Sequence, residues 1–412
     1  MTDASPSPLP RGWLVVGLLW VVGALNYLDR SMLTTMHGSI VAAIPMSETQ
    51  FGLLTSIFLW VYGILSPFAG FMADRFSRSR VIVVSVLVWS TVTLLTGYAR
   101  TFEQLLCMRA LMGISEACYL PAALALIADY HRGSTRSLAT GIHMTGIGVG
   151  AGLGGIGGWL AVRHAWSYPF SLFGAAGIVY AGVLFALLRD VRPEGIRADA
   201  PKVRLGGALA SLFADRGFIL AFSYFGLLGL GGNLVGGWLP TYFAEHFHLA
   251  QGRAGFLSSG VARAANFCGY IAGGFLADRA SRRHARGRIL VPAIALFIAA
   301  PAGLLTANSS VLGFAMLGVI ISGFFGAFND PNMMPILCLV TDPRYRATGY
   351  GILNLFSCFV GGVGIYAGGA LRDVHIGLNR ILLVPMFTTA AAAILLLMIR
   401  PKVGRLPRRA GA

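Results

Sequence analysis

Six charged side chains lie within stretches that are otherwise apolar enough to cross a lipid bilayer. An ionisable group in a bilayer core costs at least about 2.5 to 3.5 kcal/mol, so all six must pair, face water or lose their charge by titration. Carboxylates in such places can carry protons, and guanidinium groups can bind carboxylates or phosphates through two parallel hydrogen bonds. The six residues are Asp29, Arg30, Arg109, Glu116, Arg263 and Asp330.

The spacing of these charges predicts which of them meet. Arg109 and Glu116 are seven residues apart, which places them on one helix face but about 10 Å apart along its axis. Neither is therefore the main partner of the other. Arg263 has no acid near it in sequence, so it either anchors an anionic ligand or pairs with Asp330, and the two alternatives can coexist if a ligand displaces Asp330.

The composition is that of a protein that crosses the membrane many times. Of the 412 residues, 56% are hydrophobic and only 12% are charged, and the mean hydropathy is +0.71. A helix needs about 20 apolar residues to cross a bilayer core. Twelve runs meet that length, approximately 13–36, 51–73, 80–98, 103–128, 137–161, 167–188, 217–243, 254–277, 288–307, 311–338, 347–370 and 380–399. We therefore expect an all-α membrane protein.

The basic residues predict the orientation in the membrane. The net charge is +16, but the basic residues form no single patch interleaved with aromatic side chains, so nucleic acid is not an expected partner. If the N-terminus is cytoplasmic, 24 of the 32 Lys and Arg fall in cytoplasmic loops and tails. This bias predicts a multi-pass protein of the plasma (inner) membrane with both termini cytoplasmic and the first helix retained as an anchor.

The chain contains one module twice. The sequence G-F-M-A-D-R-F-S-R at 70–78 recurs as G-F-L-A-D-R-A-S-R at 274–282, and a polar segment separates six spans from six spans. We expect two pseudo-symmetric bundles of six helices, 1–188 and 217–412, joined by a cytoplasmic linker at 189–216. Glycines at 146, 150, 154 and 158 share one helix face, a pattern that lets two helices approach closely.

The repeated loop resembles the cytoplasmic loop signature of the major facilitator superfamily. The resemblance covers the whole chain and implies transport by rocking of the two bundles. It also implies that charges in the two loops latch the bundles in one state and release them in the other. The alternative is a positively charged loop that only faces solvent, which explains the arginines but not the repeated Gly and Asp. The gating residues would be Asp74, Arg75, Arg78, Asp278, Arg279 and Arg282.

Two branches of this superfamily are similar to the chain around the first and fourth spans. N-Y-L-D-R (26–30) and R-A-L-M-G-I-S-E-A (109–117) resemble the charges shared by the anion:cation symporters and the Spinster-like transporters. In the first branch the acids carry protons and the arginines orient them and bind the anion. Helices 1 and 4 are neighbours in this fold, so the resemblance implies that Asp29 and Arg30 meet Glu116 and Arg109. The alternative is an ion-pair network that serves helix packing alone.

The expected function is proton-coupled symport of a small organic anion, a sugar acid or another carboxylate, by alternating access. E-A-C-Y (116–119) also fits the Spinster-like branch, which implies a lysolipid or another amphipathic lipid as the alternative cargo. No hydrolase or metalloprotease motif occurs, so we expect no enzyme, no cofactor and no metal. The expected partners are the anion, protons and the bilayer, with the chain as a monomer. Proton coupling is assigned to Asp29, Glu116 and Asp330, and substrate binding to Arg30, Arg109, Arg263, Tyr27, Asn26, Tyr119, Trp60, Asn266 and Asn354.

Overall fold

Two groups of six long helices make up the chain. The computed structural model describes residues 11–131, 135–190, 205–284, 286–341 and 345–400, and within these ranges it contains helices but no strand. The predicted all-α architecture of twelve helices in two bundles is confirmed. The exact domain boundaries stay a prediction, and a short helix, Leu205–Phe213, lies inside the predicted linker.

The first half holds six long helices and one short helix, His37–Ala43, between the first two. Breaks of one or two residues interrupt the fourth and fifth helices. The six are α1 Gly12–Thr35, α2 Glu48–Arg75, α3 Arg78–Thr96, α4 Phe102–Ala117 with Tyr119–Tyr130, α5 Arg136–Gly152 with Gly155–Arg163, and α6 Tyr168–Leu187.

The second half repeats this arrangement with more irregular backbone. A π-helical turn interrupts its second helix and a 3-10 turn interrupts its fourth. The six are α7 Arg216–His246, α8 Gln251–Gly255 continued by Phe256–Gly260 and Val261–Arg283, α9 Gly287–Asn308, α10 Leu312–Gly326 continued by Ala327–Asn332 and Met333–Val340, α11 Arg346–Asp373, and α12 Leu378–Ile381 with Val384–Met398.

Eleven of the twelve helices are long and apolar enough to cross a membrane. The exception is α8, which carries Arg253 and Arg263 and ends in A-D-R-A-S-R-R. A helix with charges at its centre can cross a bilayer only where those charges face protein or water. The placement of Arg263 is therefore informative about where water enters the molecule.

The glycine stripe of α5 packs directly against α1, as its spacing predicted. A Cβ atom on Gly150 would lie 2.0 Å from the carbonyl oxygen of Ala24, and one on Gly146 would lie 2.5 Å from that of Trp20. Because neither distance leaves room for a side chain, glycine is required there. This close packing holds α1, with its two charges, rigidly within the first half.

The two halves meet tightly at one end, which we call the closed end and which carries residues 36–47, 247–250 and 374–377. One buried apolar cluster there contains Phe51 from the first half and Trp238 and Ile365 from the second. Along the neighbouring α2 and α11, Ser56 Oγ donates to the Gly362 carbonyl over 2.6 Å and Trp60 Nε1 donates to the Phe359 carbonyl over 3.0 Å.

Toward the opposite end, which we call the open end, side chains deep in the protein become accessible to solvent. Tyr270 of α8 is 37% exposed and Tyr350 of α11 is 42% exposed. Both lie near Tyr27 of α1, in the other half. These side chains therefore line a central cavity between the two halves.

Candidate functional site

Arg30 of α1 forms the centre of the first wall of the cavity. Its Nε donates a 2.6 Å hydrogen bond to Glu116 Oε2 of α4, and the side chain of Glu116 is fully buried whereas that of Arg30 is 16% exposed. The rings of Tyr27, Phe58 and Tyr62 surround the guanidinium, with centroids 4.5 to 4.8 Å from its Cζ. The predicted meeting of α1 and α4 charges is present, and Arg30 is the member that reaches the cavity.

Asp29 points away from the cavity, toward α3. Its side chain is buried, and its Oδ2 accepts a 3.2 Å hydrogen bond from Thr93 Oγ1. Glu116 and Arg109 are near enough to act on it electrostatically. Asp29 and Glu116 thus form a pair of interacting buried acids behind Arg30.

Arg109 lies deeper than the sequence led us to expect. It is 1% exposed, its Nε donates to the Leu54 carbonyl over 3.4 Å, and one terminal nitrogen contacts Met112 Sδ at 3.1 Å. The ring of Phe58 lies 4.8 Å from the Cζ of both Arg109 and Arg30 and separates the two cations. Arg109 therefore balances the buried acids electrostatically and does not reach the cavity in this conformation.

Asn26 is a third polar side chain beside these acids. It is buried and interacts with Glu116. Buried polar groups in proteins usually have partners, so Asn26, Asp29 and Glu116 form one buried polar group behind Arg30.

The second wall of the cavity comes from α8, α10 and α11. Arg263 and Tyr270 are seven residues apart on one face of α8, and Asp330 lies in the 3-10 turn of α10. The hydroxyl group of Tyr270 and the guanidinium of Arg263 both lie close to Asp330. Both alternatives for Arg263 therefore remain available, since it is near Asp330 and also exposed to the cavity.

The remaining predicted binding residues lie in four different settings. Tyr119 is buried and donates to the Leu19 carbonyl over 2.9 Å, so it is a packing residue in this conformation. Trp60 joins α2 to α11. Asn266 lies against the carbonyl oxygens of Ala262 and Gly323, both 3.0 Å from its amide group. Asn354 is half-buried on α11.

A family model described as Major Facilitator Superfamily matches residues 19–283 and 227–412. The chain belongs to the Major Facilitator Superfamily. Its fold and its relatives are those of transporters, not of enzymes. Protein spinster of Drosophila melanogaster is 26% identical over 377 residues, 88% of this chain and 62% of that protein. The chain thus spans less than two thirds of that relative's length.

Two further comparisons cover nearly the whole chain. The gallate transporter of Pseudomonas putida is 28% identical over an alignment of 425 positions, gaps included, which covers 92% of this chain and 90% of the relative. The crystal structure of a bacterial homologue of the human lysosomal transporter spinster, inward-facing and unoccupied, superposes with a TM-score of 0.75. It is 22% identical, covers 95% of each chain and shows that the fold is shared.

In this superfamily member the closed end is held by an ionic cluster that joins α2, α7 and α11. Arg372 binds Glu48 with its Nε at 3.1 Å and Glu245 with a terminal nitrogen at 2.9 Å. His37 Nε2 lies 2.9 Å from Glu48 Oε2. Asp373 accepts hydrogen bonds of 2.9 Å from the backbone N–H groups of Glu48 and Thr49, at the start of α2. Negative charge is favourable at that end of a helix.

Removing the cation of this cluster should loosen the closed end. Arg372→Met leaves Glu48 and Glu245 without their shared partner, so we expect a severalfold faster reaction of a cysteine placed at residue 39 with a hydrophilic maleimide. The five native cysteines are replaced in the test protein. Arg380→Met, which removes an exposed arginine at the same end, is the matched control. Equal labelling of the two variants would show that the cluster does not hold the closed end.

Two of the predicted gating residues at the open end form ion pairs within their own halves. Arg78 pairs with Asp129, and Asp278 pairs with Arg288 over 3.0 Å. Arg279 and Arg282 are exposed. The side chains of Asp74 and Arg75 lie outside what the structure describes. The gating role of these residues stays a prediction.

Sequence reasoning missed several residues that shape the site. Phe58 separates the two arginines, Thr93 binds Asp29, and Tyr270 and Tyr350 line the second wall. Tyr270 carried a usable signal, because it lies two helical turns from Arg263 on the same face. Thr93 carried none, since a single threonine in an apolar helix is not distinctive.

Proposed function

We propose that the chain is a proton-coupled symporter of a small organic anion, a sugar acid or another carboxylate, that works by alternating access. The observation that carries the proposal is the pair formed by Arg30 and Glu116, in which a cation at the cavity wall is held by a fully buried carboxylate. The gallate transporter among its relatives supports an organic acid as cargo.

The geometry gives a reason for coupling. A substrate carboxylate that binds Arg30 from the cavity must share this cation with Glu116, on the opposite side. A proton on Glu116 removes the competing charge, so the proton and the anion each favour binding of the other, and by linkage the effect is reciprocal. Asp29, next to Glu116, is the second proposed proton site, and Asp330 is the third.

The proposed orientation decides which way the cavity faces in this conformation. If the chain lies in the plasma (inner) membrane with both termini in the cytoplasm, the closed end faces outward and the cavity opens inward. A protonated, loaded carrier would reach this state after taking both ligands from outside. We propose that a monomer is sufficient, because the residues that line the cavity come from one chain.

The test is proton uptake into proteoliposomes that contain the purified protein and an internal pH dye. Sugar acids, hydroxybenzoates, simple monocarboxylates, lysolipids and neutral sugars are added in turn. Acidification of the lumen with one class of acid and not with neutral sugars is the expected result. An acid that enters, as measured with a radiolabel, without any acidification would show that transport is not coupled to protons.

A second candidate cargo is a lysolipid or another amphipathic lipid. An apolar cavity of about 370 Å³ lies between α2, α7 and α11, and its lining includes Ile64, Phe222 and Leu355. Cys358, on the same stretch of α11, approaches Gly63 and interacts with Tyr62 of the first wall. An acyl chain could therefore lie beside a head group bound at Arg30. Competition by lysolipids, but not by sugar acids, would favour this cargo.

A further inference from the structure

The two walls of the cavity offer different chemistry to a ligand. The first wall presents one cation, Arg30, among aromatic rings. The second wall presents a carboxylate and two phenols, Asp330, Tyr270 and Tyr350, beside a single cation. Carboxylates accept hydrogen bonds, and phenols both donate and accept them. The second wall is therefore suited to hydroxyl groups.

The backbone of α10 directs Asp330 into the cavity. Its neighbours Asn329 and Asn332 are buried, and Asp330 between them is exposed. Asn329 accepts a hydrogen bond from Tyr224 of α7 and donates one of 2.9 Å to the Gly326 carbonyl. Asn332 donates to the Phe328 carbonyl over 2.8 Å. These bonds hold the 3-10 turn in the orientation that presents Asp330 to a ligand.

The cation of the second wall already has an acid beside it, so a second carboxylate on the ligand would have to displace Asp330 from Arg263. Arg263 is the nearby cation, and Asp330 lies within its electrostatic range. A dicarboxylate that placed one group on Arg30 would bring the other toward Asp330, where like charges repel. A hydroxyl group at the same place can donate to Asp330 and accept from a phenol.

We propose that Tyr270, Tyr350 and Asp330 bind the hydroxyl groups of the substrate, so that the transporter selects hydroxylated monocarboxylic acids. This inference rests on the proposed function, since it assumes that an arginine binds the carboxylate. It assigns to Tyr270 and Tyr350 a role in specificity, with Asp330 as a hydrogen-bond acceptor near both. A site built to bind hydroxyl groups rejects the analogue that lacks them, because its own polar groups are then left unpaired.

The experiment measures the affinity of the purified protein for matched pairs of acids by ligand-induced thermal stabilisation. The pairs are 3,4,5-trihydroxybenzoate with benzoate and gluconate with hexanoate, and adipate tests the dicarboxylate. We expect the hydroxylated member of at least one pair to bind about tenfold or more tightly than its partner. We expect adipate to bind no better than hexanoate.

Conservative variants assign this selectivity to the second wall. Tyr270→Phe and Tyr350→Phe each remove one hydroxyl group. We expect each to weaken binding of the hydroxylated acid several-fold and to leave the affinity for the acid without hydroxyl groups unchanged. Tyr98→Phe, at a side chain that is 69% exposed, is the control and should change neither. The unfolding midpoint without ligand shows whether each variant is folded. Asp330→Asn removes the acceptor charge and should lower the affinity for the hydroxylated acid in the same way.

The outcomes separate this inference from the proposed function. Equal affinity for both members of each pair, or equal losses for both in the tyrosine variants, would overturn the hydroxyl-binding role and leave anion transport intact. Binding by no acid of any class would overturn the proposed function and this inference together.

Discussion

The Glu116→Gln variant is expected to exchange substrate across the membrane but to lose accumulation driven by a pH gradient. Glutamine keeps a side-chain oxygen that can accept the hydrogen bond from Arg30 Nε, now 2.6 Å from Glu116 Oε2. It cannot bind a proton at neutral pH. The anion site therefore survives, and the link between the proton and the anion is lost.

The measurement compares uptake into proteoliposomes with and without an inward proton gradient. One proton per monovalent anion supports about tenfold accumulation for each pH unit of gradient. The wild type should approach that ratio, whereas the variant should only equilibrate its substrate. Glu103→Gln, at an exposed position on the same helix, is the matched control and should accumulate normally. Accumulation by Glu116→Gln at the wild-type ratio would remove Glu116 from the coupling mechanism.

Asp29→Asn separates the roles of the two buried acids. If both carry protons, each single variant lowers the accumulation ratio. If Asp29 only orients the site through Thr93, Asp29→Asn changes the affinity for substrate and leaves the steepness of the pH dependence unchanged. The two carboxylates interact, so the pH profile belongs to the pair and not to either residue alone.

The sequence predicted the architecture well because its main determinants are local or repeated. Runs of apolar residues locate membrane helices, and the G-x-x-x-D-R-x-S-R repeat locates the two bundles. The glycine spacing of α5 correctly predicted close packing, since a regular helix puts every fourth residue on one face. In each case one short segment, or a match between two short segments, contained the signal.

The same reasoning could not decide which charges reach the cavity. Arg30 and Arg109 are both central in apolar helices, yet Arg30 is at the cavity wall and Arg109 is buried behind Phe58. That difference depends on the rotation of two helices about their axes, which packing determines. The cluster at the closed end was missed for a related reason, because Glu48 and Arg372 are 324 residues apart.

Loss of the Arg30 cation is expected to cause the largest loss of stability. The Arg30→Met variant leaves Glu116, which is 0% exposed, buried without its ion-pair partner. Breaking a buried pair in this way costs about 3 to 5 kcal/mol, whereas replacement of both members by uncharged groups can be nearly neutral. The double variant Arg30→Met/Glu116→Gln should therefore be more stable than Arg30→Met alone.

Thermal unfolding of the four proteins of this double-mutant cycle in one detergent measures the effect. Arg80→Met, at an exposed arginine of α3, controls for the general loss of a positive charge and should unfold near the wild-type midpoint. If the double variant is as unstable as the single one, Arg30 stabilises the fold through the rings of Tyr27, Phe58 and Tyr62 and not through Glu116. If the double variant recovers stability but transports no acid, the Arg30 cation is needed to bind the anion. The Glu116→Gln variant alone shows how much of the lost transport comes from the proton site.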